Sequence, residues 1–575
     1  MAKLNTCILI NSNQPENRYG RFAREILVSE GLTGFSFVDL ADGRLPEFEE
    51  TALILVTRAI LRRAQADALL EAVRRGAGAV FLQPQQWIVE QLGFAVASSV
   101  IYPGTVRIRY SYGGTGLSLQ THLPIPRYVL PAGPPDWLAV ADALNAEWHE
   151  TGHPAAATAP CGRGRVTLFF YDLAEAVARI RFGNPDLSGY TTSATWPWPH
   201  ALDLFEGHLD PRAAHLPQAD LHSQLLARML TGTAPFPLAR LWYYAEAAHR
   251  TAGVFESDGD YSEPGQFRAL AAALEKRGGA ATFYLMRATK LSETDVAELR
   301  ARGHSFGPHA DPLARDEELA FALPDALREE TGKFAARFGA VSPTLQCHCA
   351  PWPGYMSPVP AHIENGYRLL FAYLPGSCAV WGRYLCGSGR PMRFCGLDGA
   401  IYDCWQQPLV VFDDETLIPY LRDRADLARR VFDTALDAVL THSHTGVPIL
   451  SHPVSFCTYS RPVMEHVFDR LHAAGAPLYN ADAWLQFTDW RANTRVAQEQ
   501  DGNGHFVCTV SGLQGRIPLM FPVKNLAPGA TVVAINGHEA SHSLLRRLGD
   551  DYLFVQLDAK EHGPVARVSV RADRL

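Results

Sequence analysis

A run of carboxylates marks the segment FESDGDYSEPGQF, residues 255–267, where Glu256, Asp258 and Asp260 directly follow an apolar run. Capping of the following helix accounts for one acid, and a turn accounts for another. Three acids at the predicted end of a strand exceed what these local roles require. Carboxylates in such a place serve as metal ligands or as general bases.

Helix and strand signals place these acids near a histidine. Residues 264–278 form a predicted helix that ends at Gly278. The strand AATFYLM follows, then a helix with Ser292 and Asp295 as a capping box, and then GHSFGPH, which ends in His309. The acids and the histidine therefore end neighbouring strands of one βαβαβ unit, and sites are built at such strand ends.

The rest of the chain predicts an α/β multidomain protein. Residues 1 to about 120 alternate short apolar strands with helices, which is typical of a doubly wound parallel sheet. Residues 500–575 contain closely spaced short strands without a helical pattern, which indicates a small β-sandwich. The expected domains are 1–240, an α/β middle domain at 241–495, and the sandwich at 496–575.

Composition argues against several classes of protein. The 575 residues carry a formal net charge of -8 and no basic stripe, so binding of nucleic acid is not expected. No apolar run reaches the roughly 18 residues that a membrane span needs. The apolar run Cys7–Ile10 is too short for a signal peptide, so a cytoplasmic location is expected. A homo-oligomer is compatible with the sequence.

Five motifs in order resemble those of the polysaccharide deacetylases, a carbohydrate esterase family that includes the chitooligosaccharide deacetylases. The motifs are FESDGD, AATFYLM, GHSFGPH, CHCAPWPGY and ILSHP. CHCAPWPGY is also similar to the NHxLxWxGY motif of a variant group of that family. The resemblance implies a distorted (β/α) barrel for the middle domain. It also implies a hydrolase that uses Zn²⁺, or another divalent transition metal, to remove an acetyl group from an N-acetylated or O-acetylated carbohydrate.

The resemblance implies a role for each acid and histidine. Asp260 falls nearest the metal-ligand position, which leaves Asp258 as the base, although the reverse assignment stays open. Glu256 is a further candidate. His309 matches a metal histidine, and His452 matches the histidine that protonates the leaving group. A metal of this kind acidifies water and polarises the acetyl carbonyl, while the base takes the proton of the water.

The chain departs from the family pattern at the second metal histidine, whose position is occupied by Leu313. A leucine binds no metal, so another ligand replaces the histidine or the metal is lost. His348 is the expected replacement. Because side chains alternate along a strand, a strand over TLQCHCA would place Cys347 and Cys349 on one face and His348 on the other, towards the site.

Aromatic and polar side chains near and beyond these motifs are expected to contact the sugar. These residues are Trp352, Tyr355, Arg393 and Trp405. Backbone N–H groups near Tyr355 would stabilise an oxyanion, as the resemblance implies. The expected binding partner is therefore a carbohydrate substrate.

The N-terminal layout resembles that of class I glutamine-amidotransferase-like domains. Those enzymes carry a cysteine at a sharp strand-to-helix turn, whereas the corresponding segment FLQPQQW has none. The domain is therefore interpreted as a non-catalytic relative. Two alternatives to a deacetylase stay open. One is a carbohydrate-binding or assembly protein that has lost its activity, as Leu313 and the split acid pair suggest; the other is an amidase that acts on a non-sugar amide.

Overall fold

A computed structural model of the protein describes most of the chain. The described residues are 2–43, 48–109, 116–191, 197–315, 318–373, 387–413, 417, 424–502, 504–526 and 531–572. Within these ranges, no helix combines the length and the apolar character needed to cross a membrane.

The N-terminal region is built around one large sheet. Its strands are β1 Ala2–Lys3, β2 Asn5–Ile10, β3 Ser36–Asp39, β4 Thr51–Val56, β5 Gly78–Leu82, β6 Ala95–Ile101, β7 Thr105–Ile108, β8 Ser118–Gln120, β9 Ile125–Val129, β10 Leu138–Leu144, β11 Glu150–Cys161 and β12 Gly164–Phe169. Its helices are α1 Phe22–Ser29, α2 Arg63–Arg75, α3 Gln86–Gln91, α4 Leu173–Phe182 and α5 Gln218–Thr233. The sheet order is β3-β2-β4-β5-β12-β11-β10-β7-β8, and β6 pairs with β9.

The predicted doubly wound parallel sheet is one half of this larger, mixed sheet. Strands β3, β2, β4, β5 and β12 are parallel neighbours. Strands β11, β10, β7 and β8 extend the sheet with antiparallel pairs. A two-residue turn joins β11 to β12, so that Cys161 pairs with Gly164. Such a short connection permits only antiparallel pairing, which is why the sheet is not parallel throughout.

The middle region contains shorter strands between longer helices. Its strands are β13 Arg240–Leu241, β14 Gly253–Asp258, β15 Thr282–Leu285, β16 Ser305–Pro308, β17 Thr344–Leu345, β18 Leu369–Leu370, β19 Met392–Cys395, β20 Ile401–Gln406, β21 Val411–Phe412, β22 Val447–Leu450 and β23 Leu478–Asn480. Its helices are α6 Pro264–Glu275, α7 Glu293–Ala301, α8 Leu319–Phe338, α9 Val359–Glu364, α10 Ala425–Ala438, α11 Pro453–Ser455, α12 Arg461–Ala473 and α13 Ala481–Asn493.

The described strands of the middle region do not form the expected closed barrel. Apart from β13, which pairs with β26, they lie in two open sheets, ordered β16-β15-β14-β22-β21, with β23 also paired to β14, and β17-β18-β20-β19. The edge strands β16 and β17 approach each other where the Ser342 N–H donates to the carbonyl of Phe306 over 2.9 Å. Pro308 ends β16 and Pro343 precedes β17, and a proline has no N–H with which to extend pairing.

The C-terminal region forms two antiparallel sheets with a shared core. Its strands are β24 Arg495–Gln500, β25 Phe506–Ser511, β26 Arg516–Pro522, β27 Thr531–Ile535, β28 His538–Glu539, β29 Ser543–Arg547, β30 Asp550–Asp558 and β31 Val565–Ala572, and its helix is α14 Ala559–His562. The sheet orders are β1-β24-β25-β31-β27-β28 and β13-β26-β30-β29. Val510 and Val568 of one sheet share a buried core with Leu519 and Val555 of the other, as in a β-sandwich.

Candidate active site

The two aspartates lie at the carboxyl end of β14, inside the parallel sheet. Asp258 is the last residue of the strand, and Gly259 separates it from Asp260. The N–H of Gly259 donates to the carbonyl oxygen of Tyr284 over 2.8 Å. A Cβ on this glycine would lie 2.8 Å from that same oxygen. A side chain does not fit at this close approach, and this explains why the residue between the two acids is a glycine.

His309 directly follows β16 and faces both aspartates from a buried position. Its Nδ1–H donates to the carbonyl of Gln346 over 2.8 Å, so Nε2 is the nitrogen that remains for a ligand. Nε2 lies 3.3 Å from Asp260 Oδ1, and Nδ1 lies 3.5 Å from Asp258 Oδ1. Burial lowers the pKa of His309, but the carboxylates of Asp258 and Asp260 outweigh burial, so the pKa is raised.

His348 lies in a turn, whereas the sequence predicted a strand. Strand β17 already ends at Leu345, and Cys349 and Ala350 have φ values of +57° and +42°. The prediction that His348 points away from both neighbouring sulfurs is wrong, because Cys349 Sγ lies 3.6 Å from His348 Nε2. Side-chain alternation requires extended backbone, and the chain has left the strand before it reaches this histidine.

His348 nevertheless faces Asp260, and a further carboxylate, Asp311, holds its ring. Its Nε2 lies 3.7 Å from Asp260 Oδ2, and its Nδ1 lies 3.4 Å from Asp311 Oδ2. The hydrogen bond to Asp311 is the largest cause that raises the pKa of His348 to about 11. Burial raises the pKa of Asp260, but the surrounding histidines, led by His309, lower it to about 2. Sequence reasoning missed Asp311; its position two residues after His309 was the available signal.

His452 is held by a buried carboxylate, Asp413, which sequence reasoning also missed. The His452 Nδ1–H donates to Asp413 Oδ1 over 2.7 Å. Asp413 Oδ2 accepts from the His452 backbone N–H at 2.9 Å and from the hydroxyls of Ser451 and Ser460 at 3.1 and 3.2 Å. Asp413 follows the apolar run LVVF in the same way that the acids follow β14, and this pattern could have revealed it.

With Nδ1 committed to Asp413, the His452 ring presents Nε2 to the two aspartates. This nitrogen lies 3.9 Å from Asp258 Oδ2 and 3.8 Å from Asp260 Oδ2. Glu256, the third acid of the segment, is 1% exposed within β14, whereas the side chain of Asp260 is 21% exposed. The structure therefore gathers Asp258 and Asp260 with the histidines and leaves Glu256 in the interior of the sheet.

One pair of atoms in this cluster has the spacing of two ligands of a divalent metal, but a complete set of ligands is not arranged around it within the described residues. Asp260 Oδ1 and His309 Nε2 offer lone pairs to each other across 3.3 Å, so a proton or a cation must lie between them. Two ligands at about 2.0–2.1 Å from a tetrahedral zinc ion would lie roughly 3.4 Å apart. Among the side chains that the structure describes, however, no group of three or more His, Cys, Asp or Glu residues is arranged so that it could hold a metal ion. The zinc site therefore stays a prediction.

Trp352 and Tyr355 lie in the hydrophobic core, which corrects the substrate contacts predicted for them. Trp352 is 1% exposed, and its Nε1–H donates to the carbonyl of Tyr355 over 2.6 Å. Its ring stacks with the rings of His362 and Phe394. The Tyr355 side chain is also buried and hydrogen-bonds with Tyr19 of the N-terminal region. Packing between regions that are distant in the chain covers both rings.

Arg393 and Trp405 form a stacked pair that also binds distant segments. The guanidinium of Arg393 lies 4.5 Å from the centroid of a Trp405 ring and 3.7 Å from Glu25 of α1. The indole N–H of Trp405 donates to Asp489 of α13 over 2.8 Å, and this tryptophan is buried. These contacts account for the buried Trp405 as packing between regions, which corrects the sugar contact predicted for it. The side chain of Arg393 is 20% exposed, so its sugar contact stays a prediction.

Comparisons with known proteins give structural neighbours but no sequence relative. No protein-family model and no curated protein matches the chain. Solved structures similar to it include the carbohydrate deacetylase Agd3, with 11% sequence identity, 99% of each chain covered and a TM-score of 0.46. Another is the polysaccharide deacetylase Bc1974 from Bacillus cereus, with 14% identity and a TM-score of 0.27; the match covers 40% of this chain and 91% of that chain. A third is a putative polysaccharide deacetylase from Bordetella bronchiseptica, with 15% identity and a TM-score of 0.25; the match covers 39% of this chain and 80% of that chain. At these TM-scores the neighbours carry no argument about activity.

Proposed function

We propose that this protein is a metal-dependent carbohydrate deacetylase, a hydrolase that removes an acetyl group from an N-acetylated or O-acetylated sugar. The observation that carries the proposal is the cluster at the carboxyl ends of β14, β16 and β22. There Asp258 and Asp260 lie within 3.9 Å of ring nitrogens of His309 and His452. Carboxylates and imidazoles gathered in this way are the groups of acid–base hydrolysis. The order of the five sequence motifs supports an acetylated carbohydrate as the substrate class.

Asp260, His309 and His348 would hold the metal in this proposal. Such a metal, when bound, supplies a Lewis acid for the acetyl carbonyl and lowers the pKa of a water molecule. His309 suits this role because Gln346 accepts its Nδ1–H and leaves Nε2 free for a ligand. The contact of His348 Nδ1 with Asp311 orients that ring in the same manner, with Nε2 towards Asp260.

Asp258 and His452 would move the protons of the reaction. A water oxygen forms a bond to the acetyl carbon while Asp258 takes a proton from that water. As the C–N or C–O bond to the sugar breaks, the leaving atom takes a proton from Nε2 of His452. Asp413 supports this step because it accepts the Nδ1–H and stabilises the imidazolium form of the ring. The products are acetate and the free amine or hydroxyl of the sugar.

Metal content and acetate release together test the proposal. Elemental mass spectrometry should find about one zinc, cobalt or nickel ion per chain in the wild type, and His348→Ala should lose it. His466→Ala is a matched control, because His466 forms an ion pair of 2.8 Å with Asp433 in another part of the fold. Acetate release should occur from acetylated oligosaccharides and not from simple acetamides, which separates a deacetylase from a general amidase. Unchanged activity in a metal-free Asp260→Ala variant would overturn the proposal.

A carbohydrate-binding protein without catalytic activity is the second candidate. Two observations favour it: the described side chains include no group of three that could hold a metal ion, and Leu313 occupies the position expected for a metal histidine. Isothermal titration calorimetry with acetylated oligosaccharides, with and without added zinc, distinguishes the two. Binding that needs no metal and leads to no acetate release supports the second candidate.

A further inference from the structure

A small cavity lies where several segments of the chain meet, and it shares no lining residue with the candidate active site. Its volume is about 40 Å³, which leaves room for a few waters or one small anion at roughly 10–15 Å³ per water. Its lining includes Ser29 of α1, Tyr243, Arg390, and Thr488 and Arg491 of α13. Each of these five residues is more than nine-tenths buried.

The guanidinium groups around this cavity outnumber the carboxylates. Glu30 accepts hydrogen bonds from Arg240, at 2.7 Å, and from Arg390. The guanidinium carbons of Arg240, Arg390 and Arg491 lie 5.4, 3.9 and 5.8 Å from the ring centroid of Tyr243. Arg491 donates instead to the backbone carbonyls of Trp242, Val28 and Ser29. Glu30 thus hydrogen-bonds with two of these three buried cations. Buried charge without a counter-charge is strongly unfavourable, so this arrangement calls for a further negative charge.

A neighbouring carboxylate, Asp220, supplies part of that charge to Arg390, but it also pairs with a further cation. Arg181 donates to the hydroxyl of Ser388 over 2.5 Å, and this hydroxyl donates to Asp220 over 2.5 Å. The connected buried group therefore holds four guanidiniums and two carboxylates. Two positive charges remain in excess within these contacts.

Polar groups that line the cavity have no hydrogen-bond partner among the described residues. These groups are Oγ of Ser29, Oγ1 of Thr488 and Nε of Arg390. Buried polar atoms nearly always have a partner, so a bound molecule that accepts hydrogen bonds is expected here. The excess of positive charge selects an anion over water as the acceptor.

We propose that this cavity binds one monovalent anion of the size of chloride. The anion accepts hydrogen bonds from the hydroxyls of Ser29 and Thr488 and from the guanidinium of Arg390, and it offsets part of the buried positive charge. It thereby links α1 of the N-terminal region to α13 of the middle region.

Anion-dependent stability of the full-length protein tests this proposal. Thermal unfolding would be compared in sodium chloride and in sodium gluconate at equal ionic strength, which matches general screening. We expect a Tm roughly 1 °C higher in about 100 mM chloride than in gluconate, a small shift because the entropy of unfolding grows with chain length. Bromide should produce the same increase, and a bromide-soaked crystal should show an anomalous peak in the cavity.

Variants assign the effect to the cavity. Ser29→Ala with Thr488→Val removes both hydroxyl donors and should abolish most of the chloride-dependent increase. Thr488→Val alone is the milder test if the double variant does not fold. Thr231→Val is the control, because this buried hydroxyl donates within α5 to the carbonyl of Ala227 over 2.8 Å. Equal Tm values in chloride and gluconate, an unchanged increase in the Thr488→Val variant, or a cavity that holds only water would overturn the proposal.

Discussion

Replacing Asp413 by asparagine changes one oxygen of the carboxylate that holds His452 and leaves the shape of the side chain unchanged. Asp413 accepts one hydrogen bond at Oδ1, from the His452 ring, and three at Oδ2, from the His452 backbone and the hydroxyls of Ser451 and Ser460. An asparagine accepts on one side only, because its other side is an NH₂ donor. Turning the NH₂ towards the ring keeps three of the four bonds, so we expect that orientation.

The size of the effect follows from this orientation. With an NH₂ group against Nδ1, the neutral His452 ring must carry its proton on Nε2, and its imidazolium form loses its counter-charge. General acid–base catalysis contributes about 10²–10⁴-fold, so kcat for acetate release should fall by that factor with KM little changed. The weakened hydrogen bonds at a fully buried position should lower the free energy of unfolding by about 1–3 kcal/mol.

The assay combines kcat and KM for acetate release with metal content and urea unfolding on the same preparations. Metal content should stay at the wild-type level, because Asp413 binds His452 and not one of the proposed metal ligands. Asp433→Asn is the control, since Asp433 forms a comparable pair with His466 at 2.8 Å and should keep the wild-type kcat. A folded Asp413→Asn protein with wild-type kcat would show that His452 is not the acid and would refute the reasoning.

Three further predictions concern stability. Gly259→Ala should lower the free energy of unfolding by about 1–3 kcal/mol, because its Cβ would lie 2.8 Å from the carbonyl oxygen of Tyr284; an unchanged urea midpoint would contradict this. Trp405→Phe should lower the free energy of unfolding by about 1 kcal/mol, because it removes the hydrogen bond of 2.8 Å to Asp489. KM should stay unchanged, and a raised KM would indicate that Trp405 contacts the substrate. Burial is the main cause that lowers the pKa of His208 from 6.5 to about 4. The stability that the neutral ring provides is therefore fully present above pH 6.5, and up to about 3 kcal/mol of it is lost as the pH falls towards 4. The free energy of unfolding of His208→Gln, measured by urea unfolding at each pH, should change less over this range than that of the wild type. An equal change in both proteins would show that other groups cause it.

The sequence by itself determined that Asp258, Asp260, His309 and His452 meet in the candidate site. Asp258 ends a short apolar strand, and Asp260, His309 and His452 lie one or two residues beyond the ends of such strands. Helices with clear caps and periodicity separate β14, β15 and β16. Parallel strands joined in this way bring their carboxyl ends to one edge of a sheet, so residues that directly follow them must lie close together. Local sequence signals were sufficient to predict that these four residues lie close together, because the end of each strand fixes the position of the side chain there.

Only the tertiary structure decided what holds and surrounds those residues. Asp413 meets His452 across 39 positions of the chain, and Arg393 meets Glu25 between two regions of the fold. The turn at His348, which replaces the expected strand, likewise depends on contacts that no local pattern encodes. A side chain in a core and a side chain in a sugar-binding cleft can have the same type and spacing. The packing of distant segments over Trp352 and Trp405 therefore determined their roles, and the sequence pattern around them could not.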